Sequence, residues 1–399
     1  MNSRMFAITL FTALAITVQV PAHAGDIHFT PLNDPNEGPG GTVSNGINDL
    51  GVVGGNYAGA NGVYYGWVST PPYSNKSFTT VEAAGSPQLT SVWGINLEGA
   101  VTGYTIDASN VYHGFVSHAP YTTVTTFDAP GACSSDSNPA CSGNGTFGFG
   151  YGTQPYSINL EGVIAGFYAD ATGINHGFVT HPPYTKTTFT TIDAPGACSS
   201  GAACAGLGTV MTYFALNDLG VITGRFVDAS GVYHGFVSSP PYTRFTTIDA
   251  PGPCSSDVPA QACAGLGTGS QSINLFGVIT GLYAGADGVP HGFVSYPPYS
   301  KTTFTSFDPT GSTDTEPSSI NLEGVVTGYF YDASNVVHGF VSRPPYTTVT
   351  TFDAPGACYS DVPACAFNGT FPYGINVEGA FTGFATDAAG NSHGFVAHQ

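Results

Sequence analysis

The sequence predicts an all-β protein, a seven-bladed β-propeller of four-stranded blades, and three observations carry that prediction. An anchor of the form [Ile/Leu]-Asn-x-x-Gly recurs at Ile47, Ile95, Ile158, Leu216, Ile273, Ile320 and Ile375. A [His/Tyr]-Gly-[Phe/Trp] triplet follows each anchor, beginning at Tyr65, His113, His176, His234, His291, His338 and His393. The anchors are 47 to 63 residues apart, the period of a propeller blade or a stacked array. Third, a Thr- and Phe-rich strand follows the first six copies but not the seventh, whereas "IHFTPLNDP" at residues 27–35 resembles "TTFTTIDAP". An N-terminal strand completing the last blade closes a ring and removes its exposed edges. The alternative, an open β-solenoid, needs capping units.

The third copy shows how each unit is built. "YSIN" is the first strand, ending in the turn Asn159-Leu-Glu-Gly162, with Gly placed for positive φ after a type I turn. The second strand, "VIAGFYAD", is apolar on both faces, as expected of a sheet packed between two others. Its Gly166, with Gly54, Gly103, Gly224, Gly281, Gly328 and Gly383 as counterparts, marks a bulge or a close backbone approach. "DATG" turns the chain into the third strand, "INHGFVTH". "PPY" then forces a corner, because two fixed φ angles cannot continue a ladder. "KTTFTTID" is the fourth strand, rich in residues that favour sheets.

Composition limits function. The 399 residues hold 7 bases against 26 acids, and a surface this acidic repels phosphate backbones, arguing against nucleic acid as a partner. The 42% apolar content argues against disorder, and 54 glycines with 29 prolines imply many tight turns. Arg4, the apolar run at 6–20 and Ala22-His23-Ala24 form the pattern of a signal peptide over residues 1–24. That run is too short for a membrane span. Residues 25–399 are then one domain, secreted to the extracellular space or the periplasm. The eight cysteines fall in close pairs: Cys133 with Cys141, Cys198 with Cys204, Cys254 with Cys263, and Cys358 with Cys365. In that compartment they predict local disulfides, each contributing roughly 2–3 kcal/mol through chain entropy. No pair has zinc-ligand spacing followed by a suitable histidine.

The triplet and the period together resemble the HAF-repeat family of bacterial extracellular repeat proteins, over essentially all of residues 27–399. Gly replaces the middle residue of that family's motif throughout, and Tyr65-Gly-Trp67 departs further. The resemblance implies secretion and a repeat architecture, with no defined activity, ligand or catalytic residue.

Six equivalent histidines cannot converge on one ion from an outer strand, so each is expected to bond a turn aspartate within its own blade. Turn aspartates bond their own backbone. Calcium is the one ion that clustered turn aspartates leave open, no EF-hand spacing is present, and no cofactor is implied. Function is expected where the symmetry breaks, in the long loops after the fourth strands. There Phe149, Tyr151, Tyr156, Tyr213, Tyr359 and Tyr373 supply rings and Asp136, Asp257 and Asp361 supply acids for a ligand, or else the rings plug the channel. Arg225 stands where sibling repeats carry Asn, Tyr, Phe or Leu; it is expected to pair with an aspartate or mark an anion pocket. No nucleophile elbow, metalloprotease helix or phosphate loop is present. The sequence thus favours a non-enzymatic binding or scaffold protein for a polysaccharide, an envelope component or a protein. The alternative is a carbohydrate-active hydrolase or lyase using loop acids and tyrosines.

Overall fold

The computed structural model describes residues 27–134, 141, 150–199, 204, 206–251, 265–285, 287–359 and 365–399. The expected signal peptide and the loop residues Asp136, Phe149, Asp257 and Asp361 lie outside them. Among the described residues there are 28 strands and no helix.

Strand β1 (His28–Leu32) comes first. Then follow β2 (Glu37–Ile47), β3 (Val53–Gly59), β4 (Tyr64–Ser69) and β5 (Thr79–Val81). The second repeat gives β6 (Leu89–Ile95), β7 (Val101–Ile106), β8 (Tyr112–Ser117) and β9 (Val124–Phe127). The third gives β10 (Gly152–Ile158), β11 (Ile164–Ala169), β12 (Asn175–Thr180) and β13 (Thr190–Ile192). Next come β14 (Gly208–Val210), β15 (Ile222–Val227), β16 (Tyr233–Ser238) and β17 (Phe245–Ile248). The fifth repeat forms β18 (Gly267–Ile273), β19 (Ile279–Ala284), β20 (Pro290–Ser295) and β21 (Phe304–Phe307). The sixth forms β22 (Asp314–Ile320), β23 (Val326–Tyr331), β24 (Val337–Ser342) and β25 (Val349–Phe352). The chain finishes with β26 (Thr370–Ile375), β27 (Phe381–Thr386) and β28 (Ser392–His398).

Within each repeat, consecutive strands pair antiparallel. In the last repeat β28 takes β1 as its outer neighbour, with Leu32 opposite Gly394. That register is the one Phe127 takes against Gly114 and Phe352 against Gly339, so β1 occupies the fourth-strand slot.

The anchor asparagine explains why the repeat is so uniform. Its Oδ1 accepts the N–H four residues on, closing its own turn, as Asn159 does for Val163 at 2.9 Å. Its Nδ2 donates to the carbonyl of the next repeat's asparagine: Asn48 to Asn96, Asn96 to Asn159, Asn159 to Asn217 and Asn217 to Asn274. Asn274 continues to Asn321 and Asn321 to Asn376, and Asn376 donates back to Asn48 at 3.3 Å. These amides are buried, where an unmade bond costs about 1–3 kcal/mol, so both ends of each residue are constrained.

In every repeat but the fourth, a glycine of the second strand faces a bulge in the first strand. Pro155 pairs with Gly166 and Ser157 with Ala165, leaving Tyr156 as the extra residue. A Cβ on Gly166 would stand 2.2 Å from the Gln154 carbonyl. In the first repeat the residue at this position is Gly55 rather than Gly54, opposite Ser44. The first strand of the third repeat also begins earlier than "YSIN", at Gly152, because Thr153 and Gln154 continue the ladder. The "PPY" corner is as expected, and its tyrosine hydroxyl reaches back to the anchor turn, as Tyr242 does to the Gly220 carbonyl at 2.9 Å.

A main-chain bridge joins the start of most third strands to the next first strand. Tyr64, Tyr112, Asn175, Tyr233 and Val337 each donate their N–H across such a seam. The corresponding residue of the fifth repeat is Pro290, which has no N–H. The bridge is missing there, and β22–β25 stand as a separate four-stranded sheet beside one of 24 strands.

Three of the four expected disulfides, Cys133–Cys141, Cys198–Cys204 and Cys358–Cys365, staple loops after fourth strands. The fourth expected bond, between Cys254 and Cys263, falls on residues outside the described ones: neither Cys254 nor Cys263 belongs to them. No described cysteine is free. The three bonds indicate an oxidising extracellular or periplasmic environment. No helix among the described residues is long and apolar enough to cross a membrane.

Candidate functional site

The bulge residues converge. Trp93 lies 5.0 Å from Tyr156, 5.9 Å from Tyr213 and 5.9 Å from Tyr373, ring centre to ring centre. Tyr213 stacks on Tyr373 at 5.6 Å. Four different repeats therefore meet in one aromatic cluster. Tyr213 arrives by another route: β14 is only three residues long, and beyond it Tyr213 takes positive φ. The Ser157 hydroxyl holds its carbonyl, and Phe214 comes to rest beside Gly46 and Gly374.

Beside this cluster stands a polar group that the long-loop reasoning missed. Glu316, on β22, pairs across the sheet with Tyr329, and Asp314 pairs with Tyr331. Gln271 of β18 donates to Glu316 Oε2 at 3.2 Å, across the seam at Pro290. Burial, reinforced by Asp314 and partly opposed by Arg225, pushes the Glu316 carboxyl up to about 7. Burial alone pushes Asp314 up to about 6, and its Oδ1 is enclosed without a hydrogen-bond partner. Tyr329 and Tyr331 stand opposite the two acids on the next strand, Tyr373 lies 6.3 Å from Tyr329, and Tyr213 stacks on Tyr373, so the carboxylates adjoin the aromatic cluster.

Asp314 and Pro290 are linked departures from the pattern. Five repeats place a positive-φ glycine at this point: Gly41, Gly152, Gly208, Gly267 and Gly369. An added Cβ there would stand about 2 Å from the neighbouring strand's carbonyl, for example Tyr112 O at 2.1 Å from Gly152. Leu89 is the other exception. Leu89 keeps its bridge to Tyr64, whereas at the sixth repeat the bridge is gone and the side chain in the slot is a carboxylate.

Arg225 lies on β15 with its guanidinium carbon 5.7 Å above the Tyr233 ring. Its stem passes Gly269, where a Cβ would approach to 3.2 Å, so the missing side chain makes room for it. The expected aspartate pairing is not found: among the described residues no carboxylate lies within 4 Å of Arg225. A charged guanidinium with an aromatic wall but no ion-pair partner is available to a ligand.

The remaining expected positions separate. Tyr156, Tyr213 and Tyr373 are brought together, but at first strands and not on long loops; Tyr156 is buried within β10. Tyr151 sits at the entrance to β10, and Tyr359 is exposed on the third described disulfide loop, apart from this group. Glu316 had a signal in the sequence. Its siblings at that first-strand position are Val43, Ser91, Gln154, Val210, Gly269 and Phe371, so it is the one acid in the row.

The histidines behave as expected. Nδ1 of His113, His176, His234, His291 and His338 lies 2.7 to 2.9 Å from Asp128, Asp193, Asp249, Asp308 and Asp353. Each Nε2 faces a turn aspartate of the same repeat, such as Asp107 at 3.4 Å from His113. The other oxygen of Asp107 accepts the N–H groups of Ser109 and Val111. Among the described residues no group of three His, Cys, Asp or Glu side chains is arranged to hold a metal ion.

Fold and site together define an all-β repeat protein with a polar, tyrosine-walled centre. No protein-family model and no curated protein matches the chain. Among solved structures, the β-propeller domain of the Trilobed protease from Pyrococcus furiosus aligns over 89% of this chain and 95% of its own, with TM-score 0.49 and 8% identity. A prolyl endopeptidase aligns over 89% of this chain with TM-score 0.48 and 10% identity; this chain spans about half of it, 49%. A lectin mutant from Aleuria aurantia, in complex with Fucalpha1-6GlcNAc, aligns over 76% of this chain and 89% of its own, with TM-score 0.38 and 9% identity. These are likenesses of fold only.

Proposed function

We propose that the protein is a secreted, closed seven-bladed β-propeller of the HAF-repeat type that binds an amine-bearing carbohydrate at the centre of one face. The observation that carries the ligand is the carboxylate pair Asp314 and Glu316, opposite Tyr331 and Tyr329 across the sheet and next to the ring cluster of Tyr373 and Tyr213. Tyrosine faces attract an ammonium group and stack on the apolar face of a sugar ring. The carboxylates and Gln271 accept and donate to hydroxyls, and the enclosed Asp314 Oδ1 gains the partner it lacks. Closure is supported by the returning Asn376–Asn48 bond and the fourth-strand register of β1, and secretion by the three disulfides and the N-terminal pattern. The test is a retention screen of the mature protein on a deacetylated amino-sugar polymer, a neutral glucan and a uronic acid polymer. Selective retention on the first, lost in Glu316→Gln, is expected; equal retention on all three, or unchanged retention in the variant, refutes the reading.

The raised carboxyls of Glu316 and Asp314 favour a second reading, a hydrolase or lyase in which Glu316 donates a proton at neutral pH. Release of oligomers from the retained polymer, abolished in Glu316→Gln, would select it; retention without release rejects it.

A further inference from the structure

Eleven large apolar side chains stand exposed among the described residues, and seven of them occupy one place in the repeat, the middle of the Asn-x-x-Gly turn. Leu50, Leu219 and Phe276 are the barest, at 64%, 66% and 69% exposed. The turns stand shoulder to shoulder: besides the asparagine bonds, Asp218 accepts the Leu160 N–H and Asp49 the Val377 N–H, each at 2.9 Å. An acid shares the turn in every repeat but the fifth: Asp49, Glu98, Glu161, Asp218, Glu323 and Glu378. In the fifth, Phe276 takes the acid's place beside Leu275, and a groove opens there, walled by Leu219, Pro240 and Tyr299 with Arg244 at its rim. Lys76, Lys186, Arg244 and Lys301 belong to the corner segments, which the tyrosine hydroxyls hold against the same turns.

Seven exposed apolar side chains on adjoining turns, one pair beside a groove, mark an interaction site, and charge selects what it takes. A second copy laid face to face sets acids against acids and bases against bases. An anionic membrane is repelled by the acids at the apolar centre. We infer that this face docks a partner protein through a short apolar segment carrying Lys or Arg, with the apolar side chain in the groove beside Phe276 and the bases against the turn acids. This surface is formed by turns at the opposite ends of the strands from the Asp314 entrance, and the inference does not depend on the carbohydrate reading.

The experiment pans a displayed library of random peptides of about twelve residues on the full-length protein. Enriched peptides are then titrated against wild type, L219S/F276S and E98Q/E161Q, with thermal melting confirming that both variants fold. Enrichment of sequences pairing Lys or Arg with Leu or Phe is expected, with at least tenfold weaker binding to each variant and weakening at high salt. No enrichment, sequences without a base, or binding indifferent to both variants overturns the inference. A dimer that L219S/F276S dissolves, or binding to anionic vesicles, overturns it in favour of a second copy or a lipid surface.

Discussion

Changing Asn321 to Asp alters one atom type in the relay of amides and tests it directly. Asn321 donates through Nδ2 to Asn376 O at 3.0 Å and accepts from Val325 at 2.8 Å and Glu323 at 3.1 Å, with only 4% of its surface exposed. Alanine strands the Val325 N–H and the Asn376 carbonyl. At about 1–3 kcal/mol for each buried group, the loss is roughly 2–6 kcal/mol. Aspartate keeps the accepting side but replaces the donor with an oxygen. Facing a carbonyl in a buried site, that carboxyl has a folded-state pKa above its unfolded value of about 3.9. Protonated, it can donate the missing bond; ionised, it repels the carbonyl. A group raised on folding gives its stability below the unfolded pKa and loses it as pH rises through the folded one. The deficit of Asn321→Asp against wild type is therefore small near pH 4 and grows toward pH 7, by about 1.4 kcal/mol per unit of pKa difference. Guanidinium unfolding of wild type, Asn321→Asp and Asn376→Asp at both pH values measures it. A deficit independent of pH, or none at pH 7, refutes the relay. Asn376→Asp behaving unlike Asn321→Asp refutes its return to Asn48.

Hydrogen bonds donated to Asp128, Asp193, Asp249 and Asp353 raise His113, His176, His234 and His338. Their stabilisation is complete below about pH 6.5 and lost as pH rises through the raised values, so the urea midpoint should fall above neutrality; a rise from pH 6 to 8 contradicts the bridges. Asp387 is lowered to about 2, first by the Asn391 side chain, and its share is present above about pH 3.9 and lost toward pH 2. Replacing Cys198 and Cys204 together by Ser opens a loop of sequence separation 6 and should cost roughly 2 kcal/mol in guanidinium unfolding; no loss would show the bond adds nothing. Chelator should leave the melting temperature unchanged, because turn aspartates such as Asp107 already serve their own backbone and a histidine; a drop would reveal a structural calcium.

Much of this architecture was legible because every repeat says it again. Glycine after the anchor turn, glycine opposite the bulge, proline pairs at the corner and histidine between two aspartates each have a local cause, and local causes leave a spacing. What escaped notice acts between repeats. Asn159 could be read as a turn residue, but nothing in its neighbourhood of sequence says that its amide reaches Asn217. Glu316 is harder to read because it breaks the pattern inside a strand and not in a long loop, at a position with six apolar or neutral siblings. Tyr213 looked like a loop ring because nothing local announces that β14 stops after three residues.

Pro290 leaves the junction between the fifth and sixth repeats without a main-chain bridge among the described residues, and the acids stand at that junction. Glu316 is on one lip and Gln271 on the other, and their contact is a side-chain clasp where the strand-to-strand main-chain bridge is missing. Whatever grips both lips acts as a splint. Occupancy by the proposed ligand should then register as slowed amide exchange along β19 and β23, the second strands on either side of the gap.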